Sequence, residues 1–575
     1  MGFCGNGSGR NIEPLSMNRL AAMGAAALAV LSFGLLAQPV GTVGQPGELH
    51  AIFQFDGQAY VRDSVLDPTG QYYPEDKFRG QGFATFTYTQ GGLRAGMRYE
   101  NYQNPILGYP QGFKGQGIPY RFVQFEQDGF DITVGNFYEQ FGSGMILRAY
   151  EERGLGLDNA LDGVRIATRW KNGLQIKGVL GKQRRYFSLG EGIVRGLDAE
   201  YNLPWKAGAA VLGGSFVSKY QPANDPELNL PANVAAGALR FNLAKGKWSL
   251  NSEYVYKAND PSFDNAYIYR PGQALRSTLT YRTKGFSVQA SAKRIDNMSF
   301  RSDRSAQQFD VFVNFLPPTS KLHTYALPAL FPYATQINGE QGGEIDVVKA
   351  FSKGSWLGGK TGLTVALNAS WAESLQKSPV ASGVPIGAIG TDGYRSNWLE
   401  RGEIPYFRDV NVEFRKKFSK KSKGMLTLYD LRYNKTVLND GVPDAVLLAN
   451  PGQDSLLTVR AAVAEFQHTL PNGQTLRYEG QWNTANGFRG DAVMGLVEWT
   501  VSDRWTVAVQ EIYNYGHPSV GRRIHYPILS LIHFSGNTRI QINYGRQQQG
   551  IFCVGGICRV VPPSNGLAVS FTTSF

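Results

Sequence analysis

The sequence predicts an all-β protein: one large antiparallel transmembrane β-barrel. Three observations predict it. The N-terminus is built for export, the last strand ends in phenylalanine, and the chain between them is a series of segments of about ten residues that alternate apolar and polar side chains. Composition frames the reading. Of 575 residues only 18% are charged, against the ~25% usual in soluble chains, while 68 Gly, 29 Tyr and 33 Phe fill the difference. A mean hydropathy of −0.27 excludes a polytopic helical membrane protein, because each membrane helix needs about 20 apolar residues. With 42% hydrophobic and 12% aromatic residues the chain is not disordered. Length alone would suggest about three or four soluble domains, yet no polar linker or tandem module breaks the chain after residue 45.

The elements follow in order. Met17, Asn18 and Arg19 precede an apolar run, Leu20 to Ala37, and Gln38-Pro39 follows it. A short basic lead, an Ala/Leu core and a small residue at its end read as a secretory signal peptide. Residues 1–44 are therefore expected to be an N-terminal extension plus signal peptide, cleaved near 37 or 44, and residues 45–575 the barrel. Cys4 lies before the apolar core, so no lipoprotein attachment site is offered. The expected location is the outer membrane of a Gram-negative bacterium, in contact with lipid and lipopolysaccharide. At the other end Leu567, Val569, Phe571, Thr573 and Phe575 share one face, opposed by Ala568, Ser570, Thr572 and Ser574. Phe571 and Phe575 are expected to serve as the signal read by the barrel-assembly machinery.

Between the ends, Ala84, Phe86 and Tyr88, then Leu93, Ala95, Met97 and Tyr99, form two arms with a side-chain period of two around Gln90-Gly91-Gly92. Trp248 to Tyr256 and Leu476 to Trp482 repeat the pattern. Short connections, such as 127–129, 171–173, 283–285 and 535–537, alternate with long ones, such as 63–80, 103–118, 138–160, 258–272, 373–402 and 434–455. Bacterial barrels keep short turns in the periplasm and long loops outside, so both ends of the barrel fall in the periplasm and the strand number is even. Counting gives about 26 strands within a range of 22 to 26. The count reaches 26 only if Pro317-Pro318-Thr319 is a periplasmic turn and Lys321 to Phe331 a strand.

With the apolar parity facing lipid, the other parity lines the lumen. Its basic members are Arg94, Arg98, Arg165, Arg169, Lys177, Arg240, Arg276, Arg282, Lys293, Arg477, Arg504 and Arg539. Its acidic members are Glu100, Glu126, Asp131, Glu253 and Glu479. Such a lining concentrates anions, and it also suits rows of opposite charge that brace a wide lumen. Segment 138–160 differs from the other long connections by mixing Phe141, Met145, Ile146 and Leu147 with paired charges. It is expected to fold into the lumen as a constriction. Arg148, Tyr150, Glu151, Glu152, Arg153 and Asp158, with Arg184 and Arg185 after the next hairpin, are the candidate solute contacts.

The runs Tyr138-Glu-Gln-Phe-Gly-Ser-Gly144 and Tyr150-Glu-Glu-Arg153, with Gly181-Lys-Gln-Arg-Arg185, resemble an uncharacterised family of exported, barrel-like bacterial proteins, known as a domain of unknown function. The likeness spans nearly the whole mature chain and implies no activity. Gly135-Asn136 followed by a folded-in loop and Asp162-Gly-Val-Arg165 is loosely similar to substrate-selective and alginate-export porins, a resemblance that transfers no site.

Other patterns carry no chemistry here. Gly354 to Thr361 matches a phosphate loop, but strict alternation from Leu363 to Trp371 puts a strand where the loop requires a helix. The 6 histidines form no metal-binding pair, no G-x-S-x-G elbow occurs, and neither metal nor cofactor is expected. Lys416 to Lys423 is a basic turn suited to lipid headgroups, and an exported chain meets no nucleic acid. Cys553 and Cys558 lie in the last long loop, where an oxidising compartment allows a disulfide. The expected function is passive, porin-like transport of small polar or anionic solutes, without turnover chemistry. The alternatives are an assembly or secretion component that binds protein partners, and a barrel-embedded hydrolase.

Overall fold

In a computed structural model of the chain, the structure describes residues 46–223, 225–308, 310–554 and 557–575. The expected signal peptide and N-terminal extension lie outside the described residues. Twenty-four strands form one antiparallel sheet in which each strand pairs with its neighbours in sequence. The first strand, Glu48–Tyr60, pairs with Phe78–Gln90 on one side and with the last strand, Ser564–Ser574, on the other, from Ile52 opposite Ser574 to Tyr60 opposite Gly566. The sheet is therefore closed, with no free edge. Among the described residues no helix is long and apolar enough to cross a membrane, and strands make the crossing.

The outward face explains why these segments are strands. Val123, Val134, Leu197, Leu212, Phe216 and Leu239 alternate with inward residues and stand exposed on the outer surface, Leu239 at 71%. A surface of this kind is stable only against lipid, where every backbone group must find its partner within the sheet. Trp170, Trp205, Trp248, Trp499 and Trp505 mark the end with short turns, and Tyr256, Trp482 and Tyr544 the other, as the two girdles of an outer-membrane barrel require. The Trp248 ring lies 4.6 Å from that of Tyr281, its partner in the ladder, tilted by 51°. The tightest turns use glycine where φ must be positive: Gly91, at φ 55°, closes the Phe78–Gln90 and Leu93–Asn104 hairpin.

The strand number is 24 rather than 26. After Phe286–Asp296 the chain does not re-enter the sheet until Gly339–Phe351, and these two strands pair directly. The segment 297–338 between them, which contains the expected Pro317-Pro318-Thr319 turn and Lys321 to Phe331 strand, runs inside the barrel instead. Its apolar residues are buried by lumen packing, so they imitate the composition of a lipid-facing strand. The phosphate-loop pattern falls in turn 352–362 and is followed by the strand Leu363–Leu375.

Two inward segments give the barrel an internal core. In segment 138–160, Glu139–Phe141 pairs with Leu147–Ala149, and Glu151–Glu152 with Leu157–Asp158. At its tip Gly142, at φ 55°, passes so close to the wall that a Cβ would meet the Glu253 carboxylate at 2.8 Å, and the Ser143 N–H donates to that carboxylate at 2.8 Å. Phe141, Met145, Ile146 and Leu147 pack with Met298, Phe300, Val313 and Leu316 of the longer segment against inward residues such as Val179, Val217, Val255 and Ile295. The two segments are also stitched by backbone: Arg148 N donates to Val313 O, and Phe315 N to Gly144 O, both at 2.9 Å. Segment 297–338 then crosses the lumen. His323 Nε2 meets Asp409 Oδ2 at 2.8 Å, Leu327 N donates to Gln481 at 2.9 Å, and Phe331 and Tyr333 join a second core with Tyr406, Tyr433 and Val459.

Candidate functional site

The lumen is packed on one side and open on the other. Strands from Leu161 through Ala485 face the inward segments, whereas the wall around the closure of the barrel carries a run of cavities. The cavity nearer the short turns holds about 600 Å³ and is lined by Thr87, Arg94, Arg98, Tyr120, Gln124 and Arg165, among others. A second, of about 430 Å³, lies toward the long loops and is lined by Gln58, Gln81, Tyr109, Asn543 and Gln547. Gln54 and Arg153 line both, so this pair marks where the two cavities meet. A third, of about 390 Å³, continues from the second past Gln58, Asn543 and Gln547 to Gln510 and Ser530. Together they form a lateral conduit along the wall.

Arg153 stands at this junction. Its Nη1 donates to Gln54 Oε1 at 2.6 Å, its Nε to Glu151 at 2.8 Å, and its guanidinium lies 4.5 Å over the Phe83 ring. The side chain remains 32% exposed, a charge held in place yet facing the cavities. Behind it stands a buried network. Arg98 donates to Glu100 at 2.6 Å, Glu151 at 2.9 Å and Asp158 at 2.6 Å. Arg184 donates to Glu100 at 2.9 and 2.6 Å and to Asp158 at 2.5 Å. Burial pushes the Glu151 carboxyl up, but Arg98 and Arg153 outweigh it and hold it below the ordinary carboxylate range. Burial, then Asp158 and Glu151, drives the Tyr138 phenol well above its ordinary value, so it stays protonated and donates to Asp158 at 3.1 Å.

The expected solute contacts separate into distinct groups. Glu151, Arg153, Asp158 and Arg184 come together in this network, and of these Arg153 lines the cavities. Arg148 is sandwiched 4.1 Å from both the Tyr150 and Phe315 rings, which clamps one inward segment to the other. Arg185 pairs with Asp303 and Asp310 of segment 297–338, and Glu152 caps its own turn by accepting from Gly154 N. Half of the twelve basic lining residues are neutralised: besides Arg98, Arg165 meets Asp131 and Glu139, Lys177 meets Glu139, Arg240 meets Asp198 and Glu200, Lys293 meets Glu340, and Arg477 meets Glu465, Glu479 and Glu498. Arg94, Arg169, Arg276, Arg282, Arg504 and Arg539 have no carboxylate partner among the described residues, and Arg94 faces the largest of these three cavities. Sequence reasoning did not single out Gln54, Gln58, Gln81, Asn543, Gln547 or Arg559. The inward parity of Glu48–Tyr60, of Phe78–Gln90 and of the strand Thr538–Gln547 contains that signal for all but Arg559.

The long-loop end of the conduit is roofed by a hairpin, Gly550–Val554 with Ile557–Val561, in which Cys553 and Cys558 are disulfide-bonded. Arg559 fixes it to the interior by donating to Leu107 O at 3.4 Å and Gly154 O at 3.0 Å, with its guanidinium 4.4 Å over Tyr109. Among the described residues no cluster of His, Cys, Asp and Glu is arranged to hold a metal ion.

No curated protein matches the chain in sequence. A family of unknown function, DUF6029, matches residues 17–575. Similar solved structures include the siderophore receptor PirA from Pseudomonas aeruginosa, 10% identical over 93% of this chain and 81% of that one with a TM-score of 0.41. The P pilus usher (PapC) translocation pore is 10% identical over 91% of this chain and 99% of that one, with a TM-score of 0.43. The outer membrane protein opdK from Pseudomonas aeruginosa is 8% identical over 92% and 99%, with a TM-score of 0.30.

Proposed function

The chain belongs to this family of unknown function, DUF6029, and we propose that it is an outer-membrane channel that passes small polar or anionic solutes by diffusion along the lateral conduit. The single observation that carries the reading is the run of three cavities on one wall, beginning at about 600 Å³ and meeting the next at Arg153 and Gln54, beside inward segments that fill the opposite side. The arginines that line the wider cavity, with Arg94 free of a carboxylate partner among the described residues, supply a field that favours anions near that mouth. No step of the transport requires chemistry; the wall offers charge and hydrogen bonds, and the gradient supplies direction. The closing strand, whose Phe571 and Phe575 lie on the lipid-facing parity with Phe575 6.1 Å from Phe53, is the segment we expect the assembly machinery to recognise.

The test is conductance. Purified barrels inserted into a planar bilayer should give discrete, anion-selective channels. A barrel that inserts but stays silent under all applied voltages, or one selective for cations, would overturn the proposal.

A further inference from the structure

The upper part of the conduit differs in chemistry from the lower, and the difference names a solute class. We infer that the chamber between Arg153 and the disulfide hairpin is a binding site for uncharged, hydroxyl-rich solutes of the carbohydrate kind. The inference rests on the channel reading above and deepens it. Around the second and third cavities the wall supplies carboxamides from Gln54, Gln58, Gln81, Gln510, Asn543 and Gln547, with the Ser564 and Ser570 hydroxyls beside them. A carboxamide offers two donors and an acceptor with two lone pairs, so it serves a hydroxyl whichever way that hydroxyl is turned. A carboxylate solute needs donors alone, and an ammonium needs acceptors alone; a mixed wall rewards neither.

The charges in the chamber are already committed. Asp56 accepts from Gln54 Nε2 at 2.9 Å and from Ser570 Oγ at 2.5 Å. Arg153 is held by Glu151 and Gln54, and Arg559 by two carbonyls and the Tyr109 ring. The amides are not. Gln547 and Gln510 make no side-chain hydrogen bond among the described residues, and Asn543 accepts from Gln541 at 3.1 Å while its own NH₂ has no partner there. Most telling is Gln81, which is 4% exposed, lines the chamber, donates to Tyr109 at 3.3 Å and leaves its carbonyl oxygen without a partner. A buried acceptor left unmade is costly, and it leaves at the chamber edge a polar group that no protein donor satisfies. The volumes, about 430 and 390 Å³ in continuity, suit a sugar of a few rings within the usual range for ligand sites.

The experiment adds raffinose, a neutral trisaccharide, to barrels carrying potassium chloride current in a planar bilayer, with citrate at equal concentration as the anionic comparison. Raffinose should interrupt the current in a saturable way and citrate should not. In the double variant Gln58→Leu, Asn543→Leu the half-blocking raffinose concentration should rise about tenfold, as the loss of two modest hydrogen bonds implies; Asn543→Ala alone should give a smaller shift in the same direction if the double variant does not fold. Current that raffinose leaves untouched, or that the variants block as readily as the parent, overturns the inference while the channel reading stands. If the barrel carries no current, the channel reading fails, and calorimetric titration of the detergent-purified barrel with raffinose still decides the binding site: saturable heat lost in the variants supports it, and none refutes it.

Discussion

Replacing Asp158 by Asn should loosen the inward segment 138–160 without unfolding the barrel. Asp158, 5% exposed, stands on that segment and accepts from Arg98 at 2.6 Å and Arg184 at 2.5 Å, both on barrel strands. The network holds three arginines, Arg98, Arg153 and Arg184, matched by three carboxylates, Glu100, Glu151 and Asp158. Asparagine keeps the shape and removes the carboxylate that two nearly buried wall guanidinium groups share. Breaking a buried pair in this way costs about 3–5 kcal/mol, which at about 1.4 kcal/mol per tenfold is a rise of roughly 10² to several 10³ in the undocked fraction. Both lost pairs join the segment to the wall, whereas Glu100, Arg98 and Arg184 all sit on strands and keep their own pairs, so the cost falls on docking rather than on the sheet. Limited trypsinolysis of folded barrels in detergent measures it: cleavage after Arg148 and Arg153 should accelerate, while electrophoresis of unheated samples still shows a folded barrel. Adding Arg184→Met removes the surplus guanidinium and should restore most of the protection. Cleavage at the parental rate in Asp158→Asn would refute the claim that this network holds the segment.

Arg153→Ala should widen the junction of the two cavities and raise single-channel conductance while weakening anion preference; unchanged conductance and reversal potential would place Arg153 off the conduction path. Reducing the Cys553–Cys558 disulfide, or replacing both cysteines by Ser, should cost the hairpin about 2 kcal/mol from loop entropy and speed amide exchange across 550–561 by more than tenfold, with barrel strands unaffected; equal exchange in both forms would show that Arg559 alone holds it. The loop 61–77 should respond to acid. Burial pushes the Asp67 carboxyl up, but the N–H groups of Tyr72, Tyr73 and Gln71 and the Thr69 hydroxyl outweigh it and hold it below its ordinary value. A depressed carboxylate contributes fully above the unfolded value of about 4 and loses that contribution as pH falls through the lower folded value. Protease resistance of the loop should therefore be flat from pH 8 to 5 and fall only below about pH 4; a loss near neutrality would exclude Asp67 as its anchor.

The barrel was legible in the sequence because its signal is local. A period of two needs no knowledge of neighbours, and Leu567, Val569 and Phe571 indeed share the outward face with their counterparts on the first strand. What local pattern does not carry is the difference between burial in lipid and burial in the lumen. Segment 138–160 stood out because its apolar residues interrupt a polar loop; segment 297–338 did not, because Val311, Val313, Phe315 and Leu327 look like strand residues until the Phe286–Asp296 and Gly339–Phe351 ladder closes without them. The inward charges show the same limit. Alternation places Arg98, Arg165 and Arg477 in the lumen and even shows Glu100 and Glu479 beside two of them, but their remaining partners stand on other strands or on the inward segment, as with Asp158 for Arg98 and Glu498 for Arg477. Net charge read from one strand therefore overstates how basic the lumen is.

That pairing bears on how the conduit works. Where the inward segments dock, charged and polar groups such as Asp158 and His323 are matched to the wall and buried, and apolar residues finish the packing. Where they do not dock, the wall keeps its polar groups facing water, and those groups pass from arginines in the lower cavity to amides in the upper. A solute entering from the short-turn side thus meets charge first and hydrogen-bonding geometry second, with Arg153 between the two. Charge acts over nanometres and sorts by sign, whereas an amide sorts by contact. The order implies that sign sets the rate of arrival and hydroxyl geometry sets the residence time. Salt should separate them: raising potassium chloride from 0.1 to 1 M shortens the screening length from about 10 to 3 Å, which should reduce anion preference strongly and leave the raffinose half-blocking concentration within about twofold, since neutral hydrogen bonds carry no screening term. A block that weakens in step with anion preference would show that the two cavities act through the same charges and that the amides select nothing.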